Sequence, residues 1–283
     1  MTNPKARSPA KFYKEIYNLR PWYHDFSSLG VQTYFSAGKT GLKGTALEYS
    51  PRYIIERFFK SPFHFMRSAG DILLGKEQKW SELAIKEQGQ KIKEEFILPF
   101  LDSAIRRCKK KNTPKPSILE MFCADGYFSF WMRKNYNIKK ITAVDLDKRS
   151  IQQARVMTSV LDVNIDFKCM DVFDLPLSKK YDIILCAGGL YHLSDPKKLL
   201  KLSYEIAKRY LVLQSVITLE TDDKDYFVRP APGWKHGCRF TDAKLRSWIE
   251  EIGFKIAKHE RNVFRGNRRL LDRGSAYYLC KKP

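Results

Sequence analysis

From Pro116 to the end of the sequence, short apolar runs alternate with amphipathic stretches. This alternation predicts repeated βα units built around a parallel sheet. The predicted strands are Ser117–Phe122, Ile141–Asp145, Ile165–Cys169, Tyr181–Ala187 and Tyr210–Ile217, and helices are expected between them. Two further strands, near Lys255–Asn262 and Ser275–Lys281, would close the sheet as a hairpin.

The best defined helix of this region is predicted over Asp242–Ile252, because apolar residues recur at i, i+3, i+4 and i+7 from Leu245. Thr241 is suited to cap the N-terminus of this helix, and Gly253 is suited to end it. We therefore expect an α/β fold with a Rossmann-like, doubly wound, seven-stranded sheet whose last strand is antiparallel.

Residues 1–112 have a different pattern. Arg20–Val31 is rich in aromatic residues and lacks the βα alternation, whereas Ser81–Cys108 has helical periodicity. Pro99 should kink that helix, because proline removes a backbone donor. We predict an N-terminal aromatic and helical extension over residues 1–112, which acts as an arm or cap, and a catalytic domain over residues 113–283.

The strongest bulk feature is a net charge of +21 over 283 residues. Such a charge favours polyanionic partners, among which nucleic acid is the commonest, although a solvated basic surface is the alternative. Two clusters stand out, Arg106, Arg107, Lys109, Lys110, Lys111 and Lys115, and Arg261, Arg265, Arg268, Arg269 and Arg273. The six scattered cysteines, the lack of a secretory signal and the lack of a membrane span favour the cytoplasm.

Acidic and small residues follow the predicted strands at the edge where such sheets bind ligands. The first strand runs into C-A-D-G-Y-F-S, in which Gly126 would allow close approach of a ligand, flanked by Glu120 and Asp125. Asp145, at the end of the second strand, suits two ribose hydroxyls. Asp171, after the third strand, is placed to accept from an adenine amino group.

Two further features restrict the class of ligand that the site could bind. Val172 or Met170 would lie against the adenine ring, and the small Ala187 and Gly188 leave room beside the reacting centre. A dinucleotide enzyme needs a glycine-rich turn for its pyrophosphate, and Phe122 occupies the first glycine position of that motif. The pattern therefore favours a nucleoside with an uncharged linker over a dinucleotide.

With these motifs, the segment from Ser117 to about Pro196 resembles class I S-adenosylmethionine-dependent methyltransferases. Y-D-I-I-L-C-A-G-G-L-Y-H-L-S-D-P and R-P-W-Y-H-D-F-S-S-L-G-V are similar to segments of bacterial enzymes that modify 5-hydroxyuridine at the tRNA wobble position. The resemblance implies S-adenosyl-L-methionine as cofactor, with Glu120–Gly126 at the methionine part, Asp145 at the ribose and Asp171 at the adenine. The predicted cofactor contacts are Glu120, Phe122, Ala124, Asp125, Gly126, Asp145, Leu146, Asp171, Val172, Ala187 and Gly188.

The sequence departs from the resembled family at two places. Phe122 and Ala124 replace two of its common glycines. In the tRNA enzymes a carboxylated cofactor is held by a lysine shortly after a Pro-Trp pair and by the tyrosine of L-Y-H. Tyr191 is present here, but Tyr23 and the residues after it include no such lysine, so ordinary methyl transfer is predicted.

Methyl transfer needs alignment of the acceptor and removal of its proton, because the sulfonium already carries an activated methyl group. His192 is the first candidate for the base, by position and by its near-neutral reference pKa. The alternative is a structural histidine that anchors its loop. Tyr191 would orient the acceptor or shape the methyl channel, or would only pack.

The segment Thr218–Phe240 is too long for a simple connection, and long loops at this edge usually carry function. A solvated acidic turn followed by a proline-stiffened crossing is the alternative. The predicted substrate contacts are Trp22, Tyr23, Glu220, Asp222, Tyr226, Arg229, Trp234 and His236. No metal site is predicted, because the aspartates near Asp222 lack the other ligands of a calcium loop.

Three functions are therefore weighed. The first is a methyltransferase for tRNA or another RNA, with aromatic side chains such as Trp22 and Tyr23 stacking on an unpaired base. The second is a methyltransferase for a small molecule, a sugar or a lipid-linked substrate, with the N-terminal region as a lid. The third is a non-catalytic RNA- or protein-binding module that keeps the fold, against which the intact Asp145 and Asp171 argue.

Overall fold

The computed structural model describes residues 15–16, 18–19, 22–31, 33, 82–110, 113, 115–264, 267 and 269–283, with side chains from residue 89 onward in the helix that begins at Glu82. Lys111, Arg265 and Arg268 of the predicted basic clusters lie outside these residues. The chain divides into two compact units, residues 1–91 and residues 92–283. No helix among the described residues is long and apolar enough to cross a membrane.

The strands in chain order are β1 Ile118–Met121, β2 Ile141–Asp145, β3 Asp166–Cys169, β4 Tyr181–Ala187, β5 Ala207–Ile217, β6 Phe227–Val228, β7 Arg239–Phe240, β8 Lys255–Val263 and β9 Gly274–Lys281. Seven of these described strands form one sheet in the order β3-β2-β1-β4-β5-β9-β8. Strands β1 to β5 are parallel, and β9 runs antiparallel to both β5 and β8. The predicted doubly wound sheet with an antiparallel last strand is confirmed.

The helices are α1 Glu82–Lys110, α2 Tyr127–Tyr136, α3 Lys148–Val160, α4 Pro196–Ile206 and α5 Asp242–Glu251. Helix α1 continues through Pro99. Thr241 caps α5 as predicted, because its hydroxyl accepts a hydrogen bond from the Lys244 N–H. Helix α5 ends one residue earlier than expected, and Gly253 follows it with a φ of +104°.

The core lies on both faces of the central strands. All four residues of β1 are buried and six of the seven in β4 are buried, as expected for parallel strands covered by helices on each face. Strand β5 begins at Ala207 and not at the predicted Tyr210, because Ala207 pairs with Tyr181 before a shift in register. The pattern of apolar residues in the sequence does not indicate this additional pairing between Ala207 and Tyr181.

In the first unit, the described residues around the 3-10 turn Ser27–Leu29 form a small aromatic cluster. Trp22 is 1 % exposed, donates through its indole N–H to the Ile16 carbonyl at 2.9 Å and packs edge-on against Phe26. Tyr23, by contrast, is 43 % exposed. In this conformation Tyr23 presents a ring to solvent, whereas Trp22 does not.

Candidate functional site

The turn after β1 has a backbone that glycine would normally supply. Phe122 has a φ of +54°, Ala124 of +48° and Gly126 of +82°. Phe122 and Ala124 stand where the resembled family often has glycine, and they adopt the left-handed region despite their side chains. The sequence departs from the family pattern while the turn keeps a glycine-like backbone conformation.

Gly126 is also required by packing within the protein. A Cβ on this residue would lie 2.5 Å from the ring of Phe167 on β3. Its backbone N–H donates to the Cys123 carbonyl at 2.8 Å, which closes the turn before α2 begins. The expected approach of a ligand is therefore not the only reason for glycine at this position.

Asp145, at the end of β2, has both carboxylate oxygens held by the backbone. Oδ2 accepts from the Ala124 N–H at 2.8 Å, and Oδ1 accepts from the Asp147 N–H at 2.9 Å. A carboxylate oxygen accepts two hydrogen bonds, so each oxygen keeps capacity for a further donor. The β1 turn thus fixes the orientation of the carboxylate that was predicted to bind a ribose.

The end of β3 lies beside Asp145, because the Met170 N–H donates to the Asp145 carbonyl at 3.0 Å. Asp171 then caps a 3-10 turn through one oxygen, which accepts from the Phe173 N–H at 2.9 Å. Val172 is buried in the core, whereas Leu146 is 63 % exposed. Leu146 therefore presents an apolar surface next to Asp145, whereas Val172 packs in the hydrophobic core.

Glu120 is the most strongly perturbed carboxyl group of this region. It is 2 % exposed on β1 and accepts a hydrogen bond from the Ser129 hydroxyl on α2. Burial raises the pKa of Glu120 to about 8, an effect that the Ser129 hydrogen bond opposes and that the nearby charges of Asp125 and Asp145 reinforce. At neutral pH Glu120 is therefore largely protonated.

The end of β4 is lined by Ala187, Gly188 and Gly189, and polar groups converge beside Gly188. A Cβ on Gly188 would lie 3.1 Å from Lys93 Nζ, 3.4 Å from Gln214 Oε1 and 3.9 Å from the Tyr191 hydroxyl. Gln214 is 1 % exposed, and its Oε1 has no hydrogen-bond partner. A buried amide oxygen without a donor is costly, and a ligand N–H or O–H would satisfy it.

Tyr191 and His192 form a 3-10 turn directly after this site, with their rings 4.2 Å apart. His192 is exposed, yet desolvation of its ring lowers its pKa, and the charges of Arg239 and Lys93 lower it further against the opposing charge of Asp145. A lowered pKa favours the neutral imidazole, the form that can accept a proton.

The predicted insertion after β5 contacts this turn and the residues that follow it. The Cys238 N–H donates to the Tyr191 carbonyl at 3.0 Å, and a Cβ on Gly237 would lie 2.7 Å from the same oxygen. Arg229 donates to the Ser194 carbonyl at 3.2 Å, just after the turn. Strands β6 and β7 pair inside the insertion, which the sequence pattern did not predict.

The other predicted substrate residues are spread along the same insertion. Trp234 is 58 % exposed and His236 is exposed. Glu220 lies close enough to Tyr226 to raise the pKa of that phenol, after burial as the larger cause. Within the described part of the chain, no hydrogen bond or ion pair joins Glu220 or Asp222 to His192.

Three polar residues of the site were absent from the sequence prediction, namely Lys93, Gln214 and Arg239. Arg239 is 6 % exposed, pairs with Asp272 at 2.5 Å and stands over the Tyr191 ring at 5.7 Å. Gln214 did carry a signal, because it and Ser215 interrupt an apolar strand, Y-L-V-L-Q-S-V-I. Lys93 carried none, since lysine is common on amphipathic helices such as α1.

Comparison with known proteins gives a matching family model, similar curated proteins and a similar solved structure. Residues 94–259 match the family model described as a methyltransferase domain. A tRNA U34 carboxymethyltransferase of Campylobacter jejuni is 27 % identical over 170 residues, which cover 58 % of this chain and 55 % of the relative. The protein of the same name in Nautilia profundicola is 34 % identical over 170 residues, or 56 % of each chain.

The chain spans about half the length of these curated relatives. Among solved structures, the cyclase SpnF aligns with a TM-score of 0.51 and 16 % identity, covering 59 % of this chain and 74 % of that one. At this level of identity the likeness concerns the fold alone. It agrees with the doubly wound sheet described above.

Proposed function

Because this chain belongs to the methyltransferase domain family, we propose that it transfers a methyl group from S-adenosyl-L-methionine to a nucleotide of RNA, with tRNA as the acceptor class. The matched relatives are named as tRNA-modifying enzymes, and the strongly basic sequence suits a polyanionic substrate. The observation that carries the proposal is the anchored Asp145 carboxylate beside the exposed Leu146.

The residues of the site fit this cofactor. Asp145 offers one remaining acceptor position on each oxygen, which matches the two hydroxyls of a ribose. Leu146 supplies an exposed apolar surface for an adenine ring, and Asp171 has a carboxylate oxygen beyond the one that caps its turn. A dinucleotide fits less well, because Phe122 fills the position that a pyrophosphate loop needs for glycine.

When bound, S-adenosylmethionine supplies a methyl group already activated on a sulfonium centre. The task of the protein is then to hold the acceptor in line and to take its proton. His192 lies in the turn after β4, where the acceptor would lie, and its lowered pKa favours the neutral imidazole, so it is our candidate for the base. Tyr191 and Gln214 border the same space and would orient the acceptor.

Carboxymethyl transfer is a second candidate, and one observation favours it. The sequence lacks a lysine directly after Trp22, but Lys93 of helix α1 brings an ammonium to the space beside Gly188 and Tyr191. An ammonium and a phenol hydroxyl together suit a carboxylate on the transferred group. Methyl transfer remains the main proposal because it requires no second anion in the site.

The proposal is tested by mass spectrometry of tRNA nucleosides and small metabolites from cells with and without the protein. We expect a modified tRNA nucleoside that depends on the protein; a modified metabolite with unchanged tRNA would contradict the RNA assignment. The cofactor is tested by calorimetric titration of S-adenosylmethionine into the wild type, Asp145→Asn and the matched variant Asp162→Asn.

Asp145→Asn should weaken S-adenosylmethionine binding by about ten- to a hundred-fold, because hydrogen bonds to a charged acceptor contribute about 1.5–3 kcal/mol. Asp162 lies in the turn after α3, away from the cofactor site, so Asp162→Asn should bind like the wild type. Equal affinity of all three proteins, or no binding to any of them, would refute the cofactor assignment.

A further inference from the structure

Four pairs of adjacent basic residues stand at the sheet edge opposite the cofactor site. Lys139–Lys140 precedes β2, Lys179–Lys180 precedes β4, Lys208–Arg209 begins β5 and Lys281–Lys282 ends β9. Parallel strands begin at one common edge, and the antiparallel β9 ends there. The topology therefore gathers pairs that are distant in the sequence into one row.

Backbone hydrogen bonds link the Lys139–Lys140 pair to β1 and join the two pairs that belong to β5 and β9. The Ile118 N–H donates to the Lys140 carbonyl at 2.8 Å, and the Lys282 N–H donates to the Arg209 carbonyl at 2.7 Å. Two adjoining cavities follow this row, one of about 640 Å³ and one of about 320 Å³, which share Ser117 and Lys140 in their walls. We call the four pairs, together with Lys115, the basic groove.

Several charges of the basic groove are not neutralised. Among the described residues, no carboxylate forms an ion pair with Lys115, Lys140 or Lys208. The one acidic side chain in the larger cavity, Asp182, accepts hydrogen bonds through Oδ2 from the Ser117 N–H and hydroxyl at 2.9 and 2.8 Å. Its Oδ1 lies 3.9 Å from the Arg209 Nε, so it pairs with one of the basic residues of the groove. Like charges held this close repel one another, so an anionic partner would stabilise the arrangement.

The dimensions of the groove select the class of anion. Strands are about 4.8 Å apart, so the row from β2 to β9 extends about 19 Å, which is too long for one phosphate group. The seven residues of β4 place the groove about 20 Å from the carboxyl ends of the strands, where the cofactor site lies. A mononucleotide cannot reach both places, whereas a folded RNA can.

We propose that the basic groove binds the phosphodiester backbone of a folded RNA at a surface separate from the cofactor site. The proposal rests on the proposed RNA methyltransferase activity and adds a second point of contact to it. It implies that the substrate is recognised as a structured molecule, held by its backbone at one sheet edge and modified at the other.

The test measures binding of unfractionated tRNA as a function of salt concentration, with fluorescence anisotropy and the full chain. The groove variant is Lys140→Gln with Lys208→Gln, and the matched control is Lys134→Gln with Lys201→Gln, two exposed lysines outside both cavities. Lys140→Arg with Lys208→Arg keeps the charges. Thermal melting and calorimetric binding of S-adenosylmethionine are recorded for every variant.

Loss of two phosphate contacts should reduce the slope of log K against log salt by about 1.4 to 1.8 and weaken tRNA binding about ten-fold or more near 0.1 M salt. The control pair should retain most of the slope, the arginine pair should restore it, and S-adenosylmethionine binding should be unchanged. Duplex DNA of similar length is measured beside tRNA, and equal binding of both would overturn RNA as the ligand.

An equal reduction of slope in the groove and control variants would overturn the groove while leaving the RNA methyltransferase proposal intact. If the wild type binds S-adenosylmethionine but not tRNA, the groove and the RNA acceptor both fail and the cofactor assignment survives. If tRNA binds through the groove and no S-adenosylmethionine binds, the groove stands and the proposed activity fails.

Discussion

The ring of Phe122 lies directly against the backbone of Gly189, so that a Cβ on Gly189 would come within 1.9 Å of the ring. The two residues belong to the turns that follow β1 and β4, which are neighbours in the sheet. The bulky residue that replaces a glycine in the first turn is thus accommodated by a glycine in the second. This contact joins the expected cofactor site to the expected acceptor site.

Gly189→Ala should therefore destabilise the protein through side-chain overlap alone. Gly189 has φ −94° and ψ −30°, which alanine adopts without strain. We expect a loss of about 1–3 kcal/mol in the free energy of unfolding, the usual range for overpacking, measured by urea denaturation. Adding Phe122→Ala to the same chain should relieve much of this loss. If the two substitutions changed the free energy of unfolding in a strictly additive way, the Phe122 ring would not be what excludes a larger residue at position 189.

Glu120 should make stability depend on pH. Its pKa of about 8 in the folded protein lies above the value of 4.5 for an unperturbed glutamate, so the folded state binds the extra proton between these values. Stability should then fall as pH rises from about 5 to 8, by at most about 1.4 kcal/mol per pH unit. Glu120→Gln should abolish this fall. The difference between its free energy of unfolding and that of the wild type should be most in favour of the variant at pH 8.

Urea denaturation of both proteins at pH 5, 6.5 and 8 checks this prediction. Glu260→Gln, the same change at an exposed position of β8, is the control and should follow the wild type. Parallel pH profiles for wild type and Glu120→Gln would contradict the raised pKa.

Gln214→Leu should reduce activity without reducing stability. The Oε1 atom is buried without a donor, so replacing the amide by an apolar group of similar size should leave the free energy of unfolding unchanged within about 1 kcal/mol or raise it. The transfer rate, followed with labelled S-adenosylmethionine and unfractionated tRNA, should fall ten-fold or more. Gln153→Leu is the control. Gln153 is about as buried as Gln214 but has an interaction partner, so the Gln153→Leu variant should be less stable than the wild type. A destabilised Gln214→Leu with normal activity would assign the residue a purely structural role.

Lys93→Met distinguishes methyl from carboxymethyl transfer. If the transferred group carries a carboxylate, the variant should bind the carboxymethyl sulfonium analogue of S-adenosylmethionine about ten- to a hundred-fold more weakly, since a hydrogen bond to a charged group contributes about 1.5–3 kcal/mol. Binding of S-adenosylmethionine itself should change little, and Lys93→Arg should retain affinity for the analogue. Equal losses for both ligands would argue against the second candidate.

Much of the sheet was predictable because strand formation here follows from local apolar runs. Ile141–Asp145 and Tyr181–Ala187 were predicted with the bounds that the structure has, and Thr241 was recognised as a cap from its residue type alone. Asp145 and Asp171 could be proposed as cofactor contacts because parallel strands bring their carboxyl ends to one edge. Strand bounds, helix caps and residues at strand ends depend on the order of residues along the chain and only little on tertiary packing.

The sequence by itself determined the alternation of elements, the order of acidic residues at the strand ends and the excess of positive charge. Only the tertiary structure decided that Lys93 and Gln214 meet beside Gly188, that Phe122 requires glycine at position 189, and that four basic pairs form one row. These are contacts between segments far apart in the chain, and the apolar period of each segment does not encode its distance to the others. Strand order and the antiparallel direction of β9 set those distances, because they fix which segments share an edge.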